Sequence, residues 1–194
     1  MTTILAIDPG IRSPGVAVIR NGVLVAAARI MVPAKLSKLG DGERVAAVAA
    51  LIHGWRSASY NDRAECVGHL GTHDTVIYEW PQIYRATRSK GNPNDLLKTL
   101  AVGAAAAALY THRPGPQVRI LTPTPAEWTH GTSKDTKSKT PWETERGRYI
   151  SRRLSAAERA VVPAQHDAID AVGLALFAAG RMEPIRVNAG ATSG

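Results

Sequence analysis

Four carboxylates stand at three separated places in this chain of 194 residues. Asp8 closes an apolar run and is followed at once by Pro9 and Gly10, in "ILAIDPGIRSPGVAVI"; Glu79 closes a second run, "DTVIYEWP"; Asp167 and Asp170 stand near the start of "QHDAIDAVGLALFAAGR". The last two are spaced i, i+3, which puts both on one face of a helix. Ala168, Ile169, Ala171, Val172, Leu174 and Ala175 around them make that helix largely buried. Carboxylates that face a core must be paired, protonated or bound to metal, because stripping their hydration otherwise costs several kcal/mol or more. No Lys or Arg stands in the two apolar runs or in the helix itself to neutralise them. A cluster of hard oxygen ligands suits Mg²⁺ or Mn²⁺ rather than zinc, and two such ions about 3.5–4 Å apart can drive phosphodiester hydrolysis. One would activate a water and the other would steady the leaving oxygen.

The elements that must position these groups are legible as an alternation of strands and helices. "TILAID" reads as a buried strand, residues 10–14 as a tight loop, and "GVAVIRNGVLVAAARIMV" as two strands joined by a hairpin at Asn21-Gly22. Residues 42–58 place Val45, Val48, Ala49, Ile52 and Trp55 at helical spacing. "DTVIYEWP" is a further short strand stopped by Pro81, "NDLLKTLAVGAAAAALYTHR" a long helix capped by Asn94 or Asp95, and "QVRILTP" another strand. The stretch 124–151 is rich in Pro, Thr, Ser and Lys and reads as a loop or partly ordered arm with a short turn around Trp128. "ISRRLSAAERAVV" reads as a short helix, and a better one starts near Pro163. The expected organisation is one domain over residues 1–182, a flexible basic loop at 129–148, and a frayed tail at 183–194.

Composition narrows the partners. Lys and Arg number 24 against 16 Asp and Glu, a net charge of +8 with a pI near 10.0, which is the electrostatic footprint of a phosphate-binding surface. The excess is concentrated at 134–153, where Lys134, Lys137, Lys139, Arg146, Arg148, Arg152 and Arg153 face only Asp135, Glu143 and Glu145. A basic surface around an acidic, metal-binding centre is coherent for a nuclease: the cations hold the backbone and the metals neutralise the phosphate under attack. The single cysteine, Cys66, excludes an intramolecular disulfide and a cysteine-based zinc site. No stretch approaches the roughly 20 apolar residues that span a bilayer, and the first residues are not signal-like. A cytoplasmic protein without membrane contact is expected.

Three motifs in this order, "AIDPGIRSPGVAVI", "VIYEWPQIY" and "QHDAIDAVGLALFAAGR", resemble the RuvC family of Holliday junction resolvases, and more narrowly its phage and prophage members. The likeness runs from residue 3 to about Arg181, with the three motifs as its specific part. It implies an α/β, ribonuclease H-like fold: a mixed five-stranded sheet with helices on both faces. It also implies a homodimer that nicks a four-way junction symmetrically, using Mg²⁺, two per active site, with Mn²⁺ as a substitute. The family's acids fall on Asp8, Glu79, Asp167 and Asp170, with His166 as a rival to Asp167 because His replaces Asp there in some members. For a phage-encoded member the location would be the bacterial host cytoplasm. The long helix from about Asn94 to His112 matches the family's dimerisation element.

Departures from the family pattern concern DNA contacts. An aromatic wedge is expected shortly after the strand-end Glu, where this chain reads Glu79-Trp80-Pro81-Gln82-Ile83-Tyr84. Tyr84 or Ile83 would take that role, with Arg85 and Arg88 beside it as further DNA-binding candidates. Lys134, Lys137 and Lys139 fall where the family has lysines near the scissile phosphate. Each acid also has a plain structural reading: Asp8 as a turn cap, Glu79 as an edge-strand charge, Asp167 and Asp170 as helix N-terminal carboxylates. Two other functions keep the same fold, a non-catalytic branched-DNA-binding protein and a nuclease acting on RNA or RNA–DNA hybrids. A sugar-kinase or actin-like ATPase is disfavoured, because the Asp8-Pro9-Gly10 loop lacks the usual Thr and second Gly and the chain is short for two such domains.

Overall fold

The computed structural model describes residues 2–61, 75–81, 93–111, 117–129, 132 and 140–182. Strand β1 (Thr3–Asp8) pairs antiparallel with β2 (Gly15–Arg20), which pairs antiparallel with β3 (Val23–Arg29). On its other side β1 runs parallel to β4 (Thr75–Tyr78), and β4 parallel to β5 (Arg119–Leu121). The order across the sheet is β3-β2-β1-β4-β5. The central strands β1 and β2 are buried on both faces and are accordingly apolar between their ends, at Ile4–Ile7 and Val16–Ile19. The expected hairpin turns at Asn21 and Gly22, both with positive φ (48° and 79°), as a two-residue turn of matching twist requires.

Alternate side chains of the strands feed two cores. Leu5, Ile7, Val16, Val18, Val76 and Tyr78 pack under α1 (Asp41–Asn61) and α2 (Pro93–Thr111). Ile4, Ala6, Ala17, Ile19 and Ile77 pack under α6 (His166–Ala178), with Trp128, Tyr149 and Ile150. The expected apolar face of the first helix is present, with Val48, Ala49 and Ile52 buried and Val45 and Trp55 against the same core. The mixed five-stranded sheet with helices on both faces is therefore the architecture observed. Among the described residues no helix is long and apolar enough to cross a membrane.

Several boundaries differ from those expected. The long helix starts at Pro93, so Asn94 and Asp95 lie in its first turn rather than capping it. Within the expected loop, residues 125–129 form α3 (Pro125–Thr129), Pro141–Glu143 form a 3-10 turn, and α4 (Glu145–Ser151) follows. The reason is capping. Glu127 Oε2 accepts from the Thr124 N–H (2.7 Å) and hydroxyl (2.8 Å), and Thr144 Oγ1 accepts from Gly147 N (2.8 Å). Such local bonds hold short helices that hydrophobic period alone does not reveal. The Thr124 backbone N–H, then its hydroxyl, lower the Glu127 carboxyl below its ordinary range. The helix expected over 150–162 is broken: α5 (Ala156–Ala160) starts afresh on a Ser155/Glu158 capping box. α6 starts at His166, three residues after the expected Pro163.

Candidate carboxylate site

The register of the sheet brings the first two acids together. Ile7 pairs with Tyr78 across the parallel β1/β4 ladder, so Asp8 and Glu79 follow as neighbours at the ends of adjacent strands. The two-residue alternation that sends Ala6 and Ile77 to the α6 core sends Asp8 and Glu79 to the same face. The chain after each strand is held. Asp8 O accepts from Gly10 N (2.9 Å), and Trp80 N donates to Pro123 O beyond β5 (2.8 Å).

Helix α6 crosses this corner because Gly15 lets it. Gly15 is the cross-strand partner of Asp8, and a Cβ there would lie 1.8 Å from Asp167 O. Any side chain at position 15 would push the start of α6 off the sheet, and with it both of its aspartates. Asp170 is buried, 4% exposed, among Ala168, Ile169, Ala171 and Val172; Asp167 is partly exposed at the rim. The i, i+3 pair thus divides between core and edge.

Two of the acids nevertheless meet guanidiniums, which come from other elements. Arg29, the last residue of β3, lies opposite Gly15 and places Nε 3.1 Å from Asp167 Oδ2, which also accepts from the Ser13 hydroxyl (2.9 Å). The Arg29 Nε–H is buried and is not aimed at an acceptor, so this contact is an ion pair rather than a hydrogen bond. Arg146, in the first turn of α4, places Nη1 3.3 Å from Asp170 Oδ1. Its guanidinium lies over the Trp128 ring, 5.1 Å from the centroid, and the Trp128 Nε1–H donates to Glu79 Oε2 (2.9 Å).

Sequence reasoning counted Arg146 only as part of a basic segment, Trp128 only as a turn, and Arg29 and Ser13 not at all. The hairpin at Asn21-Gly22 returns the end of β3 to the start of β2, but Arg29 comes opposite Gly15 only through a register shift between Val18 and Ile19. Tyr84, Arg85, Arg88, Lys134, Lys137 and Lys139 lie outside the described residues. His166, the rival to Asp167, is the first residue of α6 and half-buried.

Among the described residues no group of three or more His, Cys, Asp or Glu side chains is gathered closely enough to hold a metal ion. The donors nevertheless fit a hard divalent cation. All are carboxylate oxygens on one end of one sheet face, the donor type that hard divalent cations take.

The sheet order and the helices on its two faces define the ribonuclease H-like fold found in RuvC structures. T. thermophilus RuvC in complex with Holliday junction substrate superposes with a TM-score of 0.55 at 16% identity, over 95% of this chain and 100% of that one. A Thermus thermophilus RuvC structure gives 0.52 at 16% identity, over 93% and 96%. No protein-family model matches the chain, and no curated protein sequence matches it.

Proposed function

We propose that this chain is a metal-dependent, structure-selective endodeoxyribonuclease that resolves Holliday junctions and related branched DNA by symmetric nicking as a homodimer. The observation that carries the reading is the row Arg29, Gly15, Asp8, Glu79 across four strand ends, with Asp167 and Asp170 of α6 packed on the same face. A turn cap or an edge charge accounts for one acid at a time; neither accounts for acids from three distant segments converging on one corner. The fold likeness to RuvC, one example of which was solved with a Holliday junction substrate, and the net charge of +8 support DNA as the partner. The narrower likeness to phage and prophage members rests on the three sequence motifs alone, and a cytoplasmic location follows from the activity proposed.

Asp8, Glu79, Asp167 and Asp170 would hold Mg²⁺ or Mn²⁺, which when bound supplies water activation and charge neutralisation at the phosphate. The protein's own part would be to carry the carboxylates on fixed elements of one corner. β1 and β4 fix the spacing of Asp8 and Glu79, and the contact of α6 with Gly15 fixes the height of the aspartates above them. Burial of Asp170 keeps that carboxylate from swinging into solvent.

The test is cleavage of labelled four-way junction, fork, flap and duplex DNA with Mg²⁺, Mn²⁺ or EDTA, by wild type and Asp8→Asn. Paired symmetric nicks in the junction that need metal and Asp8, leaving 5′-phosphate and 3′-hydroxyl ends, are expected, with binding retained in Asp8→Asn. Wild-type rates in Asp8→Asn would sink the site assignment. Binding without any cleavage would leave a non-catalytic DNA-binding protein.

A further inference from the structure

Trp128 and Arg146 are built into the molecule more elaborately than packing requires. The Trp128 ring is fully buried, and it fits against α6 only because residue 173 is glycine: a Cβ there would lie 2.5 Å from Trp128 Cζ3. The indole N–H then points at Glu79 Oε2. The Arg146 guanidinium lies over the ring and reaches Asp170 Oδ1 through Nη1 and Thr132 O through Nη2, at 3.3 and 3.4 Å. Its Nε is buried without a hydrogen-bond partner, as are those of Arg20, Arg29 and Arg44, so it is the placement over the indole and beside Asp170 that sets Arg146 apart.

We infer that Trp128 and Arg146 act as one stacked unit that orients the Glu79 and Asp170 carboxylates toward each other, making them positioning residues of the carboxylate site. This inference rests on the metal-dependent reading proposed above. Each contact takes one named oxygen of its carboxylate, so it fixes how that group is turned, which is what outer partners of metal-binding side chains do. The two contacts are not independent, because the indole ring that donates to Glu79 is also the platform on which the guanidinium lies. Glu79 follows β4 and Asp170 belongs to α6, so the unit ties the acid of the sheet to the acid of the helix. The second amino group of Arg146 is held at Thr132 O, which fixes the guanidinium over the ring.

Calorimetric titration of Mn²⁺ into wild type, Trp128→Phe, Arg146→Lys and the double variant tests this, with thermal melts alongside. Trp128→Phe keeps a ring and loses the N–H; Arg146→Lys keeps the charge and loses the planar group. Each is expected to weaken Mn²⁺ binding by about 10-fold, and the double variant no more than the weaker-binding single, because the unit fails as a whole. On a four-way junction the Mn²⁺ concentration that gives half-maximal cleavage should rise by a similar factor, a shift that loss of folded protein does not produce, since a smaller folded fraction lowers kcat without moving a half-saturation point. Wild-type Mn²⁺ affinity in both single variants, or losses that multiply in the double, overturns the inference while leaving the site reading intact. Wild type that takes up no Mn²⁺ overturns the site reading, and this inference with it. Should Trp128→Phe fail to fold, Arg146→Lys alone decides, with unchanged Mn²⁺ affinity as the refuting result.

Discussion

Two carboxylates of the α6 side of the molecule, Asp170 and Glu158, are buried to the same degree, 4% and 6% exposed, and each meets an arginine. Their surroundings differ in kind. Glu158 Oε1 accepts from Leu24 N (2.9 Å) and Arg181 Nη1 (2.6 Å), and Oε2 from Ser155 N (2.8 Å) and Arg181 Nη2 (3.1 Å). Arg181 also donates to Gly22 O (2.8 Å) and to Arg153 O. The fork of Arg181, ahead of the backbone N–H groups and against the effect of burial, lowers the Glu158 carboxyl to about 2. Asp170 Oδ1 meets Arg146 Nη1 at 3.3 Å, from a side chain lying on an indole.

The two stand at opposite ends of one sheet face. Glu158 and Arg181 gather the hairpin turn, α5 and the chain after α6, whereas Asp170 faces the ends where Asp8 and Glu79 emerge. One end uses an anion as a staple, with both oxygens bonded by a fork and by backbone N–H groups. Among the described residues, the other end sets its guanidiniums 3.1 Å from Asp167 and 3.3 Å from Asp170, against 2.6 Å in the staple. A buried carboxylate is thus informative about function through the way it is satisfied rather than through its burial.

The strongest way to break this contrast is to exchange the roles by amide substitution. Asp170→Asn is expected to lower junction cleavage by about 10³-fold or more, since it removes a carboxylate placed to hold the divalent cation. Glu158→Gln should leave the cleavage rate within about twofold, because nothing at that end reaches the acids, so a large rate loss there would erase the distinction. Its effect is on stability instead. Removing one partner from a buried, fork-bonded pair costs about 3–5 kcal/mol, and a domain of this size then melts lower by about 2–4 °C per kcal/mol. Thermal melts of the two variants, beside the cleavage rates, read both halves of the comparison.

A smaller and more selective effect is expected from acid. The Glu158 value is about 2 in the folded protein against an ordinary 4.5, so folding favours its charged form. Its contribution, about 3 kcal/mol, is present in full above pH 4.5 and is lost as pH falls toward 2. Denaturant unfolding at pH 6, 4 and 3 should therefore show wild type and Glu158→Gln converging as pH drops. A gap that stays constant over that range would mean that the staple acts by shape rather than by charge.

What could be read from the sequence followed the same divide. Periodicity showed the five strands, the faces of α1 and the acids at strand and helix ends, because each depends on local pattern. The cations did not show. Arg146 is placed by short helices held through Thr124, Glu127 and Thr144 side-chain bonds, which leave no hydrophobic period to detect. Arg29 depends on a register shift between Val18 and Ile19. A regular hairpin closed at Asn21-Gly22 would put Ala28 opposite Gly15; the shift puts Arg29 there, on the face that carries Asp167. A one-residue slip exchanges the two faces of a strand, so the ion pair rests on an irregularity that alternation of apolar residues does not specify.

The smallest expected effect concerns the segment that carries Lys134, Lys137 and Lys139. If both ends of the α6 face are as different as proposed, DNA engages only the acidic end, and the lysines that follow Thr132 serve it through the backbone of the substrate. Each phosphate contact releases condensed counterions, so neutralising all three lysines to Gln should reduce the slope of log binding constant against log salt by up to about 2.7. Binding at low salt weakens as a result, while the affinity for Mn²⁺ in the absence of DNA stays unchanged. The same three charges moved to the hairpin end, by Lys substitutions at exposed positions near Val23, would restore net charge without restoring the slope. A slope recovered by those distant lysines would show that overall charge, rather than the acidic end, sets the contact with DNA.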